Sequence, residues 1–165
     1  MYYHVDFVGG PRSYKWLNTV QIERVWEQMH LTYAYGVDEI WLVNVGDIKP
    51  MEFPISFFLD YAWKPEAIAA GDLPGYYAAW AREQFGPEQA ATIATLLARY
   101  TKYNARRKPE LLSPDTYSLE HFREAERVGE AYASLAETAR QVGQELPEEA
   151  FDAYYQLIQY PIEAC

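Results

Sequence analysis

Cysteine is nearly missing from this chain: the one present, Cys165, is the last of 165 residues. No internal disulfide can form, and cysteine usage says nothing about redox compartment. Long hydrophobic runs are missing too; none approaches the ~20 residues of a membrane span. The three histidines, His4, His30 and His121, lie far apart without Cys or acidic partners at ligand spacing, so no metal pattern is present. A phosphate loop, a dinucleotide glycine fingerprint and a Gly-x-Ser-x-Gly elbow are all lacking, and no cofactor is implied. Positive charge is scarce, with 14 Lys and Arg against 24 Asp and Glu. The acidic balance holds in both halves, 4 basic against 8 acidic residues over 1–63 and 10 against 16 over 64–165. Nucleic-acid binding needs clustered Lys and Arg, and this balance argues against it. The one basic cluster, Arg106–Arg107–Lys108, reads more simply as a solvated helix end.

What is abundant is apolar and aromatic. Hydrophobic residues reach 50%, with fifteen tyrosines and five tryptophans, enough for a real core. Most of the aromatics fall on helical stripes and read as core rather than as sugar platforms. The N-terminus has neither a basic start nor a small-residue cleavage site. It runs straight into Tyr2–Val8, rich in strand formers and ended by Gly9–Gly10–Pro11. A chain that opens inside a strand reads as a portion of something larger. Residues 12–19 read as a loop. The spacing of Ile22, Val25, Trp26, Met29 and Tyr33 predicts a helix over 21–34, closed by Gly36. Ile40–Val45 is a nearly continuous apolar run, suited to a strand covered on both faces. Strand, helix, strand makes one βαβ unit with parallel strands.

After Pro54 the pattern becomes helical. A strongly apolar helix is expected over 55–63, closed by Lys64–Pro65. Further helices are expected from Leu73 to Phe85, from Pro87 at a first helical position, from a Ser118 cap to Val142, and from Pro147 to a stop at Pro161. The fold class is therefore mostly α. A βαβ unit and helix over 1–63, the end of an α/β domain, is followed by a bundle of about four helices over 64–165.

Candidate chemistry sits at the strand ends. His4 is suited to proton work, and alternation places Asp6 on the same strand face. The bland reading is a hydrogen-bonded pair holding a barrel interior. Asn44, an amide inside an apolar strand, must find partners, since an unpaired buried polar group costs about 1–3 kcal/mol. It either fixes a neighbouring loop or binds a sugar hydroxyl or carboxylate. Asp47, Lys49 and Glu52 follow in the exit loop, where Glu52 also suits a first helical turn.

Four runs carry a family resemblance across essentially the whole chain: YYHVDFVGGPRSYKWLNT (Tyr2–Thr19), IWLVNVGDIKPMEFPISFFLDYAW (Ile40–Trp63), RRKPELL (Arg106–Leu112) and YYQLIQYP (Tyr154–Pro161). They resemble glycoside hydrolase family 115, the xylan α-1,2-glucuronidases. The resemblance implies an intact enzyme that removes glucuronic acid, or its 4-O-methyl form, from xylan with inversion. It implies a large, homodimeric, multidomain protein, secreted or periplasmic, with glucuronoxylan or aldouronic acids as partners. It makes residues 1–63 the C-terminal βαβ remnant of a TIM-like catalytic barrel. His4 and Asn44 resemble the family's histidine and asparagine in the glucuronate pocket, with Asp6 a weaker substrate contact. Where some relatives carry a tyrosine, this chain has Phe7, which loses any hydroxyl contact there. The acid candidates lie on strands absent from this chain, so the chain alone is expected to be inactive. The alternative is a non-catalytic helical module serving interdomain or dimer contacts.

Overall fold

The computed structural model describes residues 1–6 and 17–165; the Arg12–Trp16 part of the expected loop, and Phe7, fall outside them. Two short strands, β1 (Tyr2–His4) and β2 (Leu42–Asn44), pair in parallel, with Tyr2 opposite Leu42, Tyr3 opposite Val43 and His4 opposite Asn44. Between them runs α1 (Ile22–Ala34), whose Ile22, Val25 and Met29 are buried. Gly36 ends this helix at φ +77°, a left-handed position that glycine takes without strain.

Both strands are shorter than their sequence runs. Pairing stops at Asn44 because Gly46 turns the chain away at φ +63°. Beyond His4, β1 keeps one further bond, from Val5 N–H to the Asn44 carbonyl (2.9 Å). Nor is β2 covered on both faces. Tyr3, Trp41 and Val43 pack on the core, whereas Ile40 is 68% and Leu42 59% exposed. Among the described residues, one layer of helices lies against the sheet.

That layer begins with a 3-10 turn (Lys49–Met51) leading into α2 (Glu52–Trp63). Pro54 is harmless in the first helical turn, where its missing N–H has no intrahelical acceptor. Phe53, Phe57, Phe58 and Tyr61 are buried along α2. Phe53 and Phe57 meet Tyr76, Tyr77 and Trp80 from α3 (Leu73–Phe85), while Phe58 faces Tyr3 and Trp41 of the sheet region. α3 lies against α4 (Ala90–Arg106), which packs on α5 (Glu124–Glu145). The last helical stretch comprises α6 (Glu148–Tyr154), a π turn (Tyr155–Gln159) and α7 (Tyr160–Glu163). Two tyrosine hydroxyls are paired where helices meet: Tyr154 donates to the Ala139 carbonyl (2.8 Å) and Tyr132 to Asn104 Oδ1 (2.6 Å). One apolar core runs from Ile22 to Ile162.

Several helix boundaries differ from the sequence expectation: α2 starts at Glu52 rather than 55 and α5 runs on to Glu145 rather than Val142, and three others differ for reasons the backbone shows. α4 starts at Ala90, so Pro87 precedes the helix instead of opening it. Ser118 accepts from the N–H groups of Glu120 and His121 (3.2 and 2.9 Å) and so caps only a single turn. Phe122 and Arg123 then adopt φ of 56° and 51°, which breaks the helical ladder and delays α5 to Glu124. Leu119 and Phe122, which fall inside the stretch expected to be helical from Ser118, are 84% and 89% exposed as a result. Finally, Pro161 does not stop the last helix. The preceding π turn shifts the hydrogen-bond register, so a residue without an N–H fits and the helix continues to Glu163. The basic cluster behaves as expected of a helix end: α4 finishes at Arg106, whose guanidinium lies over the Tyr103 ring at 4.6 Å.

Candidate functional site

The parallel register sets His4 and Asn44 side by side at the C-terminal ends of the two strands. Alternation sends Tyr3 and Val43 into the core and leaves Tyr2, His4, Leu42 and Asn44 on the open face. Burial pushes the Tyr3 phenol upward despite the lowering effect of Arg24, as fits a core residue that stays neutral.

On the open face, two partners orient the Asn44 amide. Its Nδ2 donates to the Tyr2 hydroxyl (2.9 Å), and its Oδ1 accepts from the Gly46 N–H (3.3 Å). The Tyr2 and His4 rings meet edge to face, with centroids 4.5 Å apart. Tyr2 is the residue that sequence reasoning missed. The signal was available, because period-two alternation puts Tyr2 on the His4 face as surely as Asp6.

Asp6 lies past the end of β1, against the turn after β2. A Cβ on Gly46 would sit 2.3 Å from Asp6 Oδ2, so only glycine lets the carboxylate approach that closely. Asp6 Oδ2 is buried and has no hydrogen-bond partner among the described residues. The exit turn follows, where Lys49 pairs with Glu52 at 3.0 Å in the first turn of α2. That ion pair gives Glu52 the structural role a helix start predicts.

The arrangement offers an imidazole, a carboxamide held by its neighbours and a carboxylate around one strand end. Imidazole and amide can hydrogen-bond hydroxyls or a carboxylate without supplying full positive charge. No group of three or more metal-ligating side chains occurs among the described residues. His30 and His121 lie elsewhere; His30 stacks on Trp26 (4.6 Å) and bonds the Tyr61 hydroxyl (3.1 Å). No helix among the described residues is long and apolar enough to cross a membrane.

No curated relative matches the chain. A solved structure, described as a novel family GH115 4-O-methyl-α-glucuronidase, BtGH115A, with specificity for decorated arabinogalactans, is 29% identical with a TM-score of 0.86. The match covers 99% of this chain and 23% of that one, so the chain spans less than a quarter of the neighbour's length. The family model described as glycosyl hydrolase family 115 matches residues 1–111, which include both strands and every candidate residue named above. This chain belongs to glycosyl hydrolase family 115.

Proposed function

We propose that residues 1–63 are the closing part of a TIM-like catalytic barrel and that its strand ends hold the glucuronate of a decorated polysaccharide. Residues 64–165 form the helical bundle behind it. The observation that carries this reading is the in-register pairing of His4 with Asn44 beside the Gly46 turn, on a sheet face left open. His4 and Asn44 are the groups that recognise the uronate, and Asp6 contributes a carboxylate at the same strand end. The intact enzyme releases glucuronic acid or its 4-O-methyl form by hydrolysis with inversion.

Inversion needs a proton donor to the leaving oxygen and a base for water on the opposite face, with carboxyl groups about 6.5–9.5 Å apart. Asp6 supplies at most one of the two, so we expect no turnover by this chain alone. Incubation with glucuronoxylan should release no glucuronic acid, and measurable turnover at ordinary enzyme concentration overturns the incomplete-site reading. Titration calorimetry with an aldouronic acid tests the pocket: binding lost in His4→Ala and in Asn44→Ala supports it, and binding indifferent to both removes it.

Two backbones are in play. Xylan follows from the family resemblance. The specificity of BtGH115A for decorated arabinogalactans favours a second reading, in which the uronate is carried on a galactan. Homodimerisation of the intact enzyme is part of the proposal and places no demand on the strand-end site.

A further inference from the structure

A groove of about 620 Å³ opens beside the strand-end cluster, lined by Gly46, Asp47, Lys49, Pro50, Gln156 and Tyr160. Gly46 is shared: it lines this groove, bonds Asn44 Oδ1 and receives the Asp6 carboxylate. The opposite wall is the π turn. In an α-helix, residues four apart share a face, which aligns Phe151 with Tyr155 and would next bring up Gln159. The π turn inserts one residue and brings Tyr160 into line instead. Ring centroids along the row are 6.0 Å (Phe151 to Tyr155) and 5.8 Å (Tyr155 to Tyr160) apart. The three side chains are 37%, 40% and 41% exposed. Gln159 meanwhile turns inward against Gly143, where a Cβ would lie 2.7 Å from its Oε1.

Accommodating Pro161 explains the π turn as backbone. It does not explain three neighbouring aromatic rings left open to solvent on a helix whose other large side chains, Tyr154, Leu157 and Ile158, are buried. Such rings present flat apolar faces edged by hydroxyls, which suit the C–H face of a pyranose and its equatorial hydroxyls. Electrostatics selects a neutral sugar, since Lys49 is already paired with Glu52 and Asp47 would repel a uronate.

We propose that this groove, continued along Tyr160, Tyr155 and Phe151, binds neutral pyranose units of the polysaccharide whose uronate branch reaches His4 and Asn44. The assignment rests on the carbohydrate reading above and extends it from the branch to the backbone. Gln156, at the groove wall, supplies the amide that fixes the sugar's orientation.

The test uses the full chain with three probes followed by calorimetry and ligand-observed NMR: xylotetraose, a β-1,3-linked galactotetraose, and free glucuronic acid. We expect one of the neutral tetrasaccharides to bind, which identifies the backbone. Tyr160→Ala and Tyr155→Ala should each weaken it about tenfold or more, while Tyr160→Phe stays within about twofold because the ring face remains. Glucuronic acid affinity should be unchanged in Tyr160→Ala. Circular dichroism melts of each variant confirm that the fold is retained, and Gln156→Ala gives a second readout should Tyr160→Ala not fold. Failure of both neutral sugars to bind, or binding that Tyr160, Tyr155 and Gln156 variants leave unchanged, overturns the proposal. Tyr160-dependent binding of a neutral sugar with no glucuronic acid binding upholds the groove and overturns the strand-end reading instead.

Discussion

The helical region and the two-stranded end of this chain solve opposite problems. Where the helices pack on one another, large side chains are sealed: Phe53, Phe57, Phe58, Tyr61, Tyr100 and Tyr154 are all at or near zero exposure. At the sheet, Tyr2, Ile40 and Leu42 face solvent, the strands pair only with each other among the described residues, and Asn44 bonds Tyr2 on the open face. A two-stranded sheet is marginal by itself and stands here because one of its faces lies on α2. Stability therefore resides in the helices, and the uronate recognition proposed above would sit at the sheet. The neighbouring structure is more than four times as long as this chain, in keeping with the proposal that the strands close a larger barrel.

The largest test of that division is alkali. Tyr76, Tyr77, Tyr100, Tyr132 and Tyr154 all have phenols raised above the ordinary value of 10.0, chiefly by burial. In the unfolded chain these phenols ionise near that ordinary value, whereas the folded chain holds them protonated. Their contribution to stability is complete below pH 10 and is lost progressively as pH rises through the folded values. Urea midpoints should be flat between roughly pH 7 and 9 and fall steeply above 10, with unfolding by about pH 12. A midpoint that holds at pH 11.5 would mean these hydroxyls are not sealed.

Next in size is Phe57→Ala, which removes a ring packed on Tyr61 and Tyr76 (6.1 and 5.0 Å) and should cost about 3–5 kcal/mol. Leu42→Ala, on the open face of β2, should stay within about 0.5 kcal/mol. Equal costs in urea denaturation would dissolve the contrast between the regions. Gly46→Ala falls between them. It forces a side chain into a left-handed position and onto the Asp6 carboxylate, for about 1–3 kcal/mol. In the Gly46→Ala/Asp6→Ala double variant, the part due to the carboxylate contact should be recovered and the backbone part should remain.

How far the sequence could be read divides along the same line. Helices were legible because their stripes repeat over many residues: the Ile22–Met29 face is buried as its spacing predicts, and α3 starts at Leu73–Pro74. Their ends were less legible, since nothing local announces that Phe122 and Arg123 go left-handed or that a π turn admits Pro161. At the sheet, parallel pairing followed from the βαβ order, but strand length did not, because pairing is ended by the Gly46 turn and not by composition. The candidate residues were legible one at a time. Their juxtaposition, His4 opposite Asn44 and Asp6 against Gly46, depends on register and on a close backbone approach, and neither is written in local propensity.

Tyr2→Phe is the gentlest intervention, and it separates fold from recognition most cleanly. The Tyr2 hydroxyl accepts from Asn44 Nδ2 on a solvent-facing surface, so its loss should change stability by no more than about 0.5 kcal/mol. The ring, and with it the edge-to-face contact with His4, is kept. What changes is the freedom of the Asn44 amide. With Gly46 N–H holding Oδ1 and Tyr2 holding Nδ2, the amide plane is set before a ligand arrives. Released on one side, it must be ordered by the ligand itself, and uronate affinity should drop a fewfold, roughly threefold, with the melting temperature unmoved. Titration of aldouronic acid into the Tyr2→Phe chain reads this directly, with the Gly46 amide resonance reporting whether the Oδ1 bond persists. Unchanged affinity would assign Tyr2 to packing alone and leave Asn44 oriented by Gly46; a loss as deep as that of Asn44→Ala would instead make the hydroxyl itself a uronate contact.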